Sequence, residues 1–274
     1  MAELRIQTIT DFAAPDLQPY ATMRRPLPHE AQGIFIAEGT KVVRRLLQSS
    51  FGVVSAVLPE RWLADFTPLL TARPEPLIPV YLADKETLEK LVGFSMYQGV
   101  MAVGRIPQSE SLDSVLARTT PPRLLVAVDE LNNAENIGTL VRNCVGLNAQ
   151  ALLVGETSAS PFLRRSVRAS MGTVFQLPVA SLSHLAQTLH ELRRLGIRCI
   201  AAHPHADGTT LARTDLTGDV CLVFGSEGTG IRPEVLAACD AAVAIPMPPT
   251  VDSLNVGSAA AVFLYEASRQ RGRM

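Results

Sequence analysis

Residues 245–270 read IPMPPTVDSLNVGSAAAVFLYEASRQ and combine a proline-rich segment, a polar cluster and an amphipathic helix. The prolines remove backbone N–H donors and prevent helix formation, so we expect an ordered loop at the start of this stretch. Ser253 and Asn255 are residue types that begin helices, and the apolar residues after them recur at helical spacing. A helix that begins at a loop presents free N–H groups and the positive end of its dipole. The pattern is compatible with an ordinary N-cap after a turn and with a binding site at a helix start.

Upstream of this segment, short apolar runs alternate with helical patterns, which favours a largely parallel sheet covered on both faces. One helix has a leucine stripe and is expected to end at Gly196. The sequence therefore predicts an α/β domain at residues 123–274. Its six expected strands lie at residues 124–128, 151–154, 174–178, 197–202, 220–224 and 241–245.

The first part of the chain reads as a smaller α/β domain at residues 1–105, followed by a polar, proline-containing linker at 106–122. Its helix at residues 40–48 separates an apolar face from a basic one. These basic residues, with others in the loop before them, predict either a phosphate-binding patch or merely a solvated surface. The basic residues are Arg24, Arg25, His29, Lys41, Arg44 and Arg45. The expected strands of this domain lie at residues 34–37, 53–58, 78–82 and 99–103.

Composition excludes some classes of protein and leaves others open. No apolar run reaches the roughly 18 residues that a membrane-spanning helix needs, and the N-terminal MAELRIQTIT lacks the apolar core of a secretory signal, so we expect a cytoplasmic protein. The four cysteines are dispersed without a CxxC pair, which favours buried reduced thiols over a zinc site or a disulfide framework. A formal net charge of -1 neither indicates nor excludes a nucleic-acid partner.

Ligands of open parallel sheets bind beyond the carboxyl ends of the strands. Residues 129–142, DELNNAENIGTLVR, follow the strand expected at 124–128. Arg142 can present a planar fork to a phosphate or a carboxylate. Two structural alternatives stay open, because Asn136 could cap a helix and Arg142 could pair with Glu135 or Asp129.

A second polar segment, FGSEGTG at residues 224–230, follows another buried strand. Its glycines suit a loop whose backbone amides face a ligand, but their order is not the GxGxxG dinucleotide fingerprint. The chain also lacks the lysine motif of P-loop phosphotransferases, so both the dehydrogenase and the phosphotransferase hypotheses are weak. His203 and His205 have no third ligand in the pattern and indicate a polar loop rather than a metal site.

Together, the three segments form an ordered set: Asn136-x-Gly-x-x-x-Arg142, then GSEGTG, then IPM and SLN ending at Asn255. In this order they resemble the three motifs of the SpoU (TrmH-like) RNA ribose methyltransferases of the SPOUT superfamily. RASMGTVFQLPV, at residues 168–179, is similar to the segment between the family's first two motifs. FIAEGTKVVRRLL and YQGVMAV in the first domain resemble the substrate-binding domain that often precedes the catalytic one. Two departures, Asn-Ala-Glu before Asn136 and Gly257 in place of a frequent serine, put the subfamily in doubt rather than the activity.

The resemblance implies an α/β fold with a C-terminal parallel-sheet domain threaded into a trefoil knot. It also implies S-adenosylmethionine as cofactor, no metal, a homodimer, and methyl transfer to a ribose 2'-hydroxyl of structured RNA. We expect ribosomal rather than transfer RNA because of the two-domain layout. The cofactor contacts implied by position are Ala202, Gly225, Ile245 and Leu254. The implied catalytic residues are Asn136, Arg142, Glu227, Ser253 and Asn255.

The implied roles follow the chemistry of each side chain. A guanidinium stays charged in proteins, so we expect Arg142 to bind the adjacent phosphate and stabilise the developing alkoxide rather than abstract a proton. Asn136 would position Arg142 or the ribose, Glu227 would orient these groups, and Ser253 with Asn255 would line the nucleotide pocket. The alternative is an RNA-binding protein of the same fold without catalysis, whose mark would be substitutions at Asn136, Arg142, Glu227 or Asn255. None is present.

Overall fold

The computed structural model describes residues 1–95, 98–204, 206, 209–248 and 250–272, with only the backbone at 26–28. It divides into two compact units. The N-terminal unit comprises Met1–Gln108 and Phe162–Phe175, and the C-terminal unit comprises Ser109–Pro161 and Gln176–Met274. The segment Phe162–Phe175, which sequence analysis assigned to the second domain, thus packs within the first unit. The functional domain boundaries stay a prediction.

Eleven strands are found in the described part of the chain. They are β1 (Glu3–Thr8), β2 (Ile34–Glu38), β3 (Val53–Leu58), β4 (Leu77–Leu82), β5 (Met101–Arg105), β6 (Leu124–Val128), β7 (Ala151–Val154), β8 (Val179–Ser181), β9 (Arg198–Ala202), β10 (Val220–Phe224) and β11 (Ala241–Val243). The helices are α1 (Gln18–Ala21), α2 (Pro26–Ala31), α3 (Thr40–Leu47), α4 (Leu63–Thr71), α5 (Lys85–Val92), α6 (Leu112–Ala117), α7 (Ala134–Gly146), α8 (Arg164–Ala169), α9 (Leu185–Arg194), α10 (Pro233–Ala238) and α11 (Val256–Gln270).

The N-terminal unit contains a mixed sheet in the order β1-β4-β3-β5-β2. β4 pairs in parallel with β1 and β3, whereas β5 is antiparallel to β2 and β3. Sequence analysis missed β1 because this edge strand, ELRIQT, is almost wholly exposed and has no buried apolar face to mark it.

The C-terminal unit contains a six-stranded sheet in the order β11-β9-β10-β6-β7-β8. Each described pairing within it is parallel, and β6 and β10 are buried along their whole length. This confirms the predicted parallel sheet covered on both faces. No helix within the described residues is both long and apolar enough to span a bilayer.

One predicted strand is wrong and another is too long. Thr173–Gln176 forms a 3-10 helix, and the strand expected at 174–178 lies instead at Val179–Ser181. The apolar run of this segment is buried as a single helical turn that follows Gly172, whose φ of 78° redirects the chain. β11 ends at Val243, so Ile245 belongs to the loop beyond the strand.

Strand register positions the loops that follow. Phe224 at the end of β10 is the partner of Val128 at the end of β6, and Val243 of β11 is the partner of Ala202 at the end of β9. Because β9 and β10 are parallel neighbours, the loops after all four strands leave the sheet at one edge. This is the edge at which open α/β sheets bind ligands.

Candidate active site

A cavity of about 330 Å³ lies at this edge of the C-terminal sheet. Its walls are largely apolar, with Phe224 and Phe263 in T-shaped contact at 5.7 Å between ring centroids. Carboxylates and hydroxyls are found among the lining residues as well. All four residues expected to contact a cofactor line it, namely Ala202, Gly225, Ile245 and Leu254.

Asn255 connects all three sequence motifs. Its Oδ1 accepts hydrogen bonds from the backbone N–H groups of Gly257 at 2.9 Å and Ser258 at 3.4 Å, which makes it the N-cap of α11. Its Nδ2 donates to Asn136 Oδ1 at 3.1 Å and to a carboxylate oxygen of Glu227. One amide thus caps a helix with its oxygen and fixes two polar side chains with its nitrogen.

The structure resolves the alternatives for Asn136. It lies within the first turn of α7, whereas the N-cap is Asn133, whose Oδ1 accepts from the N–H groups of Glu135 at 2.9 Å and Asn136 at 3.3 Å. The Asn136 side chain is therefore available to contact Asn255. The helix begins at Ala134, directly after this N-cap.

The loop that carries Glu227 is a tight turn. Ser226 and Gly230 exchange backbone hydrogen bonds at 2.9 and 3.1 Å. A Cβ atom added at Gly225 would lie 2.2 Å from the carbonyl carbon and oxygen of Gly230, so only glycine fits there. Part of the backbone predicted to face a ligand is thus used within the loop itself.

A buried ion pair holds the end of this loop and was missed by sequence analysis. Asp129 is fully buried and accepts hydrogen bonds from the backbone N and the Nε of Arg232, both at 2.8 Å. Arg232 Nη2 also contacts Glu156 Oε1 at 2.7 Å. The hydrogen bond to Asp129 is the main reason why the pKa of Arg232 rises above its ordinary value. The suggested pairing of Asp129 with Arg142 is therefore wrong, and no periodicity in the sequence marks the true partner.

Arg142 and Ser253 are placed differently from the other site residues. Arg142 is exposed on α7, six residues or about 9 Å along the helix axis from Asn136, and forms no hydrogen bond or ion pair with any described residue. Ser253 is exposed and lines the cavity. The structure therefore joins Asn136, Glu227 and Asn255 directly, places Ser253 in the lining of the cavity that Glu227 also lines, and leaves Arg142 exposed to solvent.

A metal site finds no support in the described part of the chain, where no cluster of three or more His, Cys, Asp and Glu side chains occurs. His203 lines the cavity and its backbone N–H donates to Val243 O at 3.0 Å. Its suggested partner His205 lies outside the described residues, as do Pro249 of the proline-rich segment and Tyr97 of the first-domain motif.

Known proteins resemble this chain in sequence and in fold. The model of the SpoU rRNA Methylase family matches residues 123–265. An uncharacterized tRNA/rRNA methyltransferase of Mycobacterium tuberculosis is 32% identical over 97% of this chain and 93% of its own length. The 23S rRNA (guanosine-2'-O-)-methyltransferase RlmB of Ralstonia nicotianae is 32% identical over 77% of this chain and 84% of its own. The SpoU methyltransferase AviRb of Streptomyces viridochromogenes, solved with AdoMet, shares the fold at a TM-score of 0.81, with 24% identity over 94% of this chain and 98% of its own.

Proposed function

Because the chain belongs to the SpoU rRNA Methylase family, we propose that it transfers a methyl group from S-adenosylmethionine to a ribose 2'-hydroxyl of structured RNA. The observation that carries the proposal is the double contact of Asn255 with Asn136 and Glu227, which assembles three distant motifs beside one cavity. The similarity to a relative named as a guanosine-2'-O-methyltransferase of 23S rRNA supports both the ribose hydroxyl and ribosomal RNA.

The cavity suits the proposed cofactor in size and in chemistry. Its volume of about 330 Å³ falls in the range of small-molecule sites, and its apolar walls can cover an adenine ring. Glu227 and Asp252 supply negative charge to a cavity that would receive a positively charged sulfonium compound. When bound, S-adenosylmethionine supplies an electrophilic methyl group. Ala202, Gly225, Ile245 and Leu254 are proposed to hold it, largely through loop backbone.

The polar cluster would prepare the attacking ribose. Asn255 fixes the Glu227 carboxylate and the Asn136 amide in one arrangement, so these groups can orient the incoming nucleotide without reorganising. Ser253, at the lining of the cavity, offers a hydroxyl to the same nucleotide. Arg142 would bind the phosphate next to the target ribose and stabilise negative charge on the 2'-oxygen. The hydroxyl proton would pass to a phosphate oxygen, because a guanidinium cannot accept it.

Replacing Arg142 tests this role. For Arg142→Ala we expect turnover at saturating RNA to fall by at least about 100-fold, as for the loss of other transition-state donors, while the affinity for S-adenosylmethionine is unchanged. Arg194→Ala is the control, since Arg194 is an exposed arginine of α9 that belongs to none of the three sequence motifs. An Arg142→Ala variant that kept most of its turnover would contradict the alkoxide-stabilising role.

The function itself is tested with tritiated S-adenosylmethionine and total RNA from a strain that lacks the gene. We expect label in the large ribosomal RNA and one discrete reverse-transcription stop at low nucleotide concentration. Label in transfer RNA alone would overturn the choice of ribosomal RNA. Tight cofactor binding without label in any RNA, including ribosomal precursor particles, would favour the non-catalytic RNA-binding protein.

The same proposal includes the chain topology, the cellular location and the role of the first domain. We propose a trefoil knot in the C-terminal unit, a cytoplasmic location, and RNA binding by a domain at residues 1–105. The knot is supported by the course of α11, which follows the edge strand β11 yet packs on α7, with Asn143 Nδ2 donating to Gly257 O at 2.6 Å. Stretching the unfolded chain by its ends in an optical trap would give a shorter contour length than an unknotted chain of 274 residues.

A further inference from the structure

The N-terminal unit contains a cleft of about 420 Å³ that the proposed reaction does not use. It is lined by residues 38–42, by residues 98–100, and by Arg168 and Met171 of the segment that joins this unit from later in the chain. We refer to it as the Lys41 cleft. We propose that the Lys41 cleft binds one phosphate-bearing nucleotide of the substrate RNA, an inference that rests on the proposed function.

Charge favours an anion in this cleft. Lys41 is exposed and forms no hydrogen bond or ion pair with any described residue. Glu38, whose side chain is 10% exposed, accepts a hydrogen bond from Arg164 Nη1 at 2.5 Å and a longer one from Arg168 Nη1 at 3.4 Å, and the Arg168 side chain is 60% exposed. Among the described residues that line the cleft, Glu38 is the one carboxylate, and its short pair with Arg164 compensates its charge. Lys41 and the exposed Arg168 guanidinium, whose contact with Glu38 is longer, can therefore bind a phosphate.

The remaining walls offer contacts to a base or sugar. Val42 and Val100 are almost fully buried and form an apolar floor with Met171. Gln98 Oε1 accepts from the backbone N and the hydroxyl of Thr40, at 3.3 and 2.7 Å, which fixes the orientation of the amide. Gln98 Nε2 has no acceptor among the described residues and stays available to an oxygen or a ring nitrogen of a nucleotide. The cleft thus pairs cations for the phosphate with an apolar wall and a donor for the base.

Backbone strain marks the same place. Met171 has a φ of 55°, which is uncommon for a residue with a side chain. A hydrogen bond from Arg45 Nη1 to Met171 O at 2.6 Å holds this conformation. Strained residues persist where the surroundings fix them and concentrate at ligand sites. Here the strained turn follows α8 and keeps both Arg168 and Met171 at the cleft.

The test measures binding of the full-length protein to a 23S rRNA transcript at several salt concentrations. For the double variant Lys41→Gln/Arg168→Gln we expect affinity to fall about tenfold near 0.1 M salt, and the slope of log affinity against log salt to become shallower by about 1. Arg165→Gln is the matched control, because Arg165 is an exposed arginine of α8 that does not line the cleft. Affinity for S-adenosylmethionine and thermal stability should match the wild type in all variants.

Other outcomes would overturn the inference. Equal affinity and equal salt slope for the double variant and the Arg165 control would exclude the cleft from RNA binding. Calorimetric binding of GMP that is lost in the double variant while transcript affinity is unchanged would assign the cleft to free nucleotides instead. Methyl transfer by the wild type is measured separately, so failure of the proposed function is distinguished from failure of the cleft.

Discussion

At the scale of single residues, the Asn255 side chain has both a structural role and a functional role. Its Oδ1 caps α11 while its Nδ2 holds Asn136 and Glu227. Serine also caps helices well, but it has no amide nitrogen that could donate to both Asn136 and Glu227. Substitution can therefore separate helix capping from the contacts with Asn136 and Glu227.

For Asn255→Ser we expect a free energy of unfolding within about 0.5 kcal/mol of the wild type, with turnover at saturating substrates reduced by about 100-fold. For Asn255→Ala we expect the same loss of turnover together with about 1 kcal/mol of lost stability. Urea unfolding and single-turnover kinetics measure the two effects. Full activity in the serine variant would show that the Nδ2 contacts are incidental.

His29 contradicts its assignment to a basic patch. It is 6% exposed, and its Nε2 lies 3.1 Å from Thr22 Oγ1. Desolvation by burial lowers its pKa from the ordinary 6.5, so it is neutral where the patch would need a charge. Two of the other expected cations have partners within the chain, since Arg44 lies over the Phe66 ring and Arg45 binds Met171 O.

This shift makes stability depend on pH. In the unfolded chain His29 takes up a proton near pH 6.5, whereas in the folded chain it does so only at a lower pH. Neutral His29 therefore contributes to the free energy of unfolding above pH 6.5, and this contribution is lost as the pH falls below that value. We expect the stability of the wild type to decrease between pH 7.5 and 5.5 and that of His29→Gln to decrease less. Urea midpoints across this range measure the difference, with the exposed His190→Gln as control. Identical pH profiles for His29→Gln and the wild type would refute this origin.

At the scale of elements, four buried strands could be predicted to the residue. β3, β6, β7 and β10 match their expected bounds because continuous apolar runs are bounded by polar or turn residues. β1 and β8 could not be predicted, since an exposed edge strand has no apolar run and the run before β8 is buried as a 3-10 helix. A local run of apolar residues indicates burial, but burial alone does not determine whether the segment forms a strand or a helical turn.

The motif residues of the site could be predicted from the sequence, whereas its long-range ion pair could not. Its polar residues came from a resemblance across three motifs, and the structure places Asn136, Glu227 and Asn255 in contact. The Asp129–Arg232 pair could not be found in this way, because its two residues lie 103 positions apart and belong to no repeating pattern. Long-range pairing is set by sheet register, which single-sequence patterns do not specify.

The contact between α7 and α11 gives a prediction at this scale. A Cβ atom added at Gly257 would lie 2.7 Å from Thr139 Cγ2, so Thr139 occupies the space that a larger residue would need. For Gly257→Ala we expect a loss of about 1–3 kcal/mol in stability through overpacking, and a loss of turnover because Asn136 and Asn255 lie on these two helix starts. Urea unfolding and kinetics measure both.

Thr139→Ala is the matched second substitution. Since it removes the atom that collides, the double variant Gly257→Ala/Thr139→Ala should recover most of the stability and turnover lost in Gly257→Ala, which a double-mutant cycle reports as a coupling energy. Additive losses in the cycle would mean that the small residue at position 257 serves another purpose.

At the scale of the whole molecule, the C-terminal unit exposes large apolar side chains on α11 and on the loop before it. Val262 and Tyr265 of α11 are 40% and 50% exposed, and Leu254 and Val251 of the loop before it are 37% and 42% exposed. Leu254 also lines the cavity. Exposed apolar residues favour association, and a second copy of the chain packed on α11 and the loop before it would make the expected homodimer, with the active site near the interface.

The double variant Val262→Glu/Tyr265→Glu tests this arrangement, because two charges buried without partners oppose association. Light scattering after gel filtration should give the mass of a dimer for the wild type and of a monomer for the variant. Leu195→Glu is the control, since Leu195 is 59% exposed and lies after α9, away from α11 in sequence. The monomer should also methylate RNA more slowly if the partner completes the site. A wild-type protein that is monomeric at all concentrations would refute the dimer, and a fully active monomeric variant would show that one chain contains the whole active site.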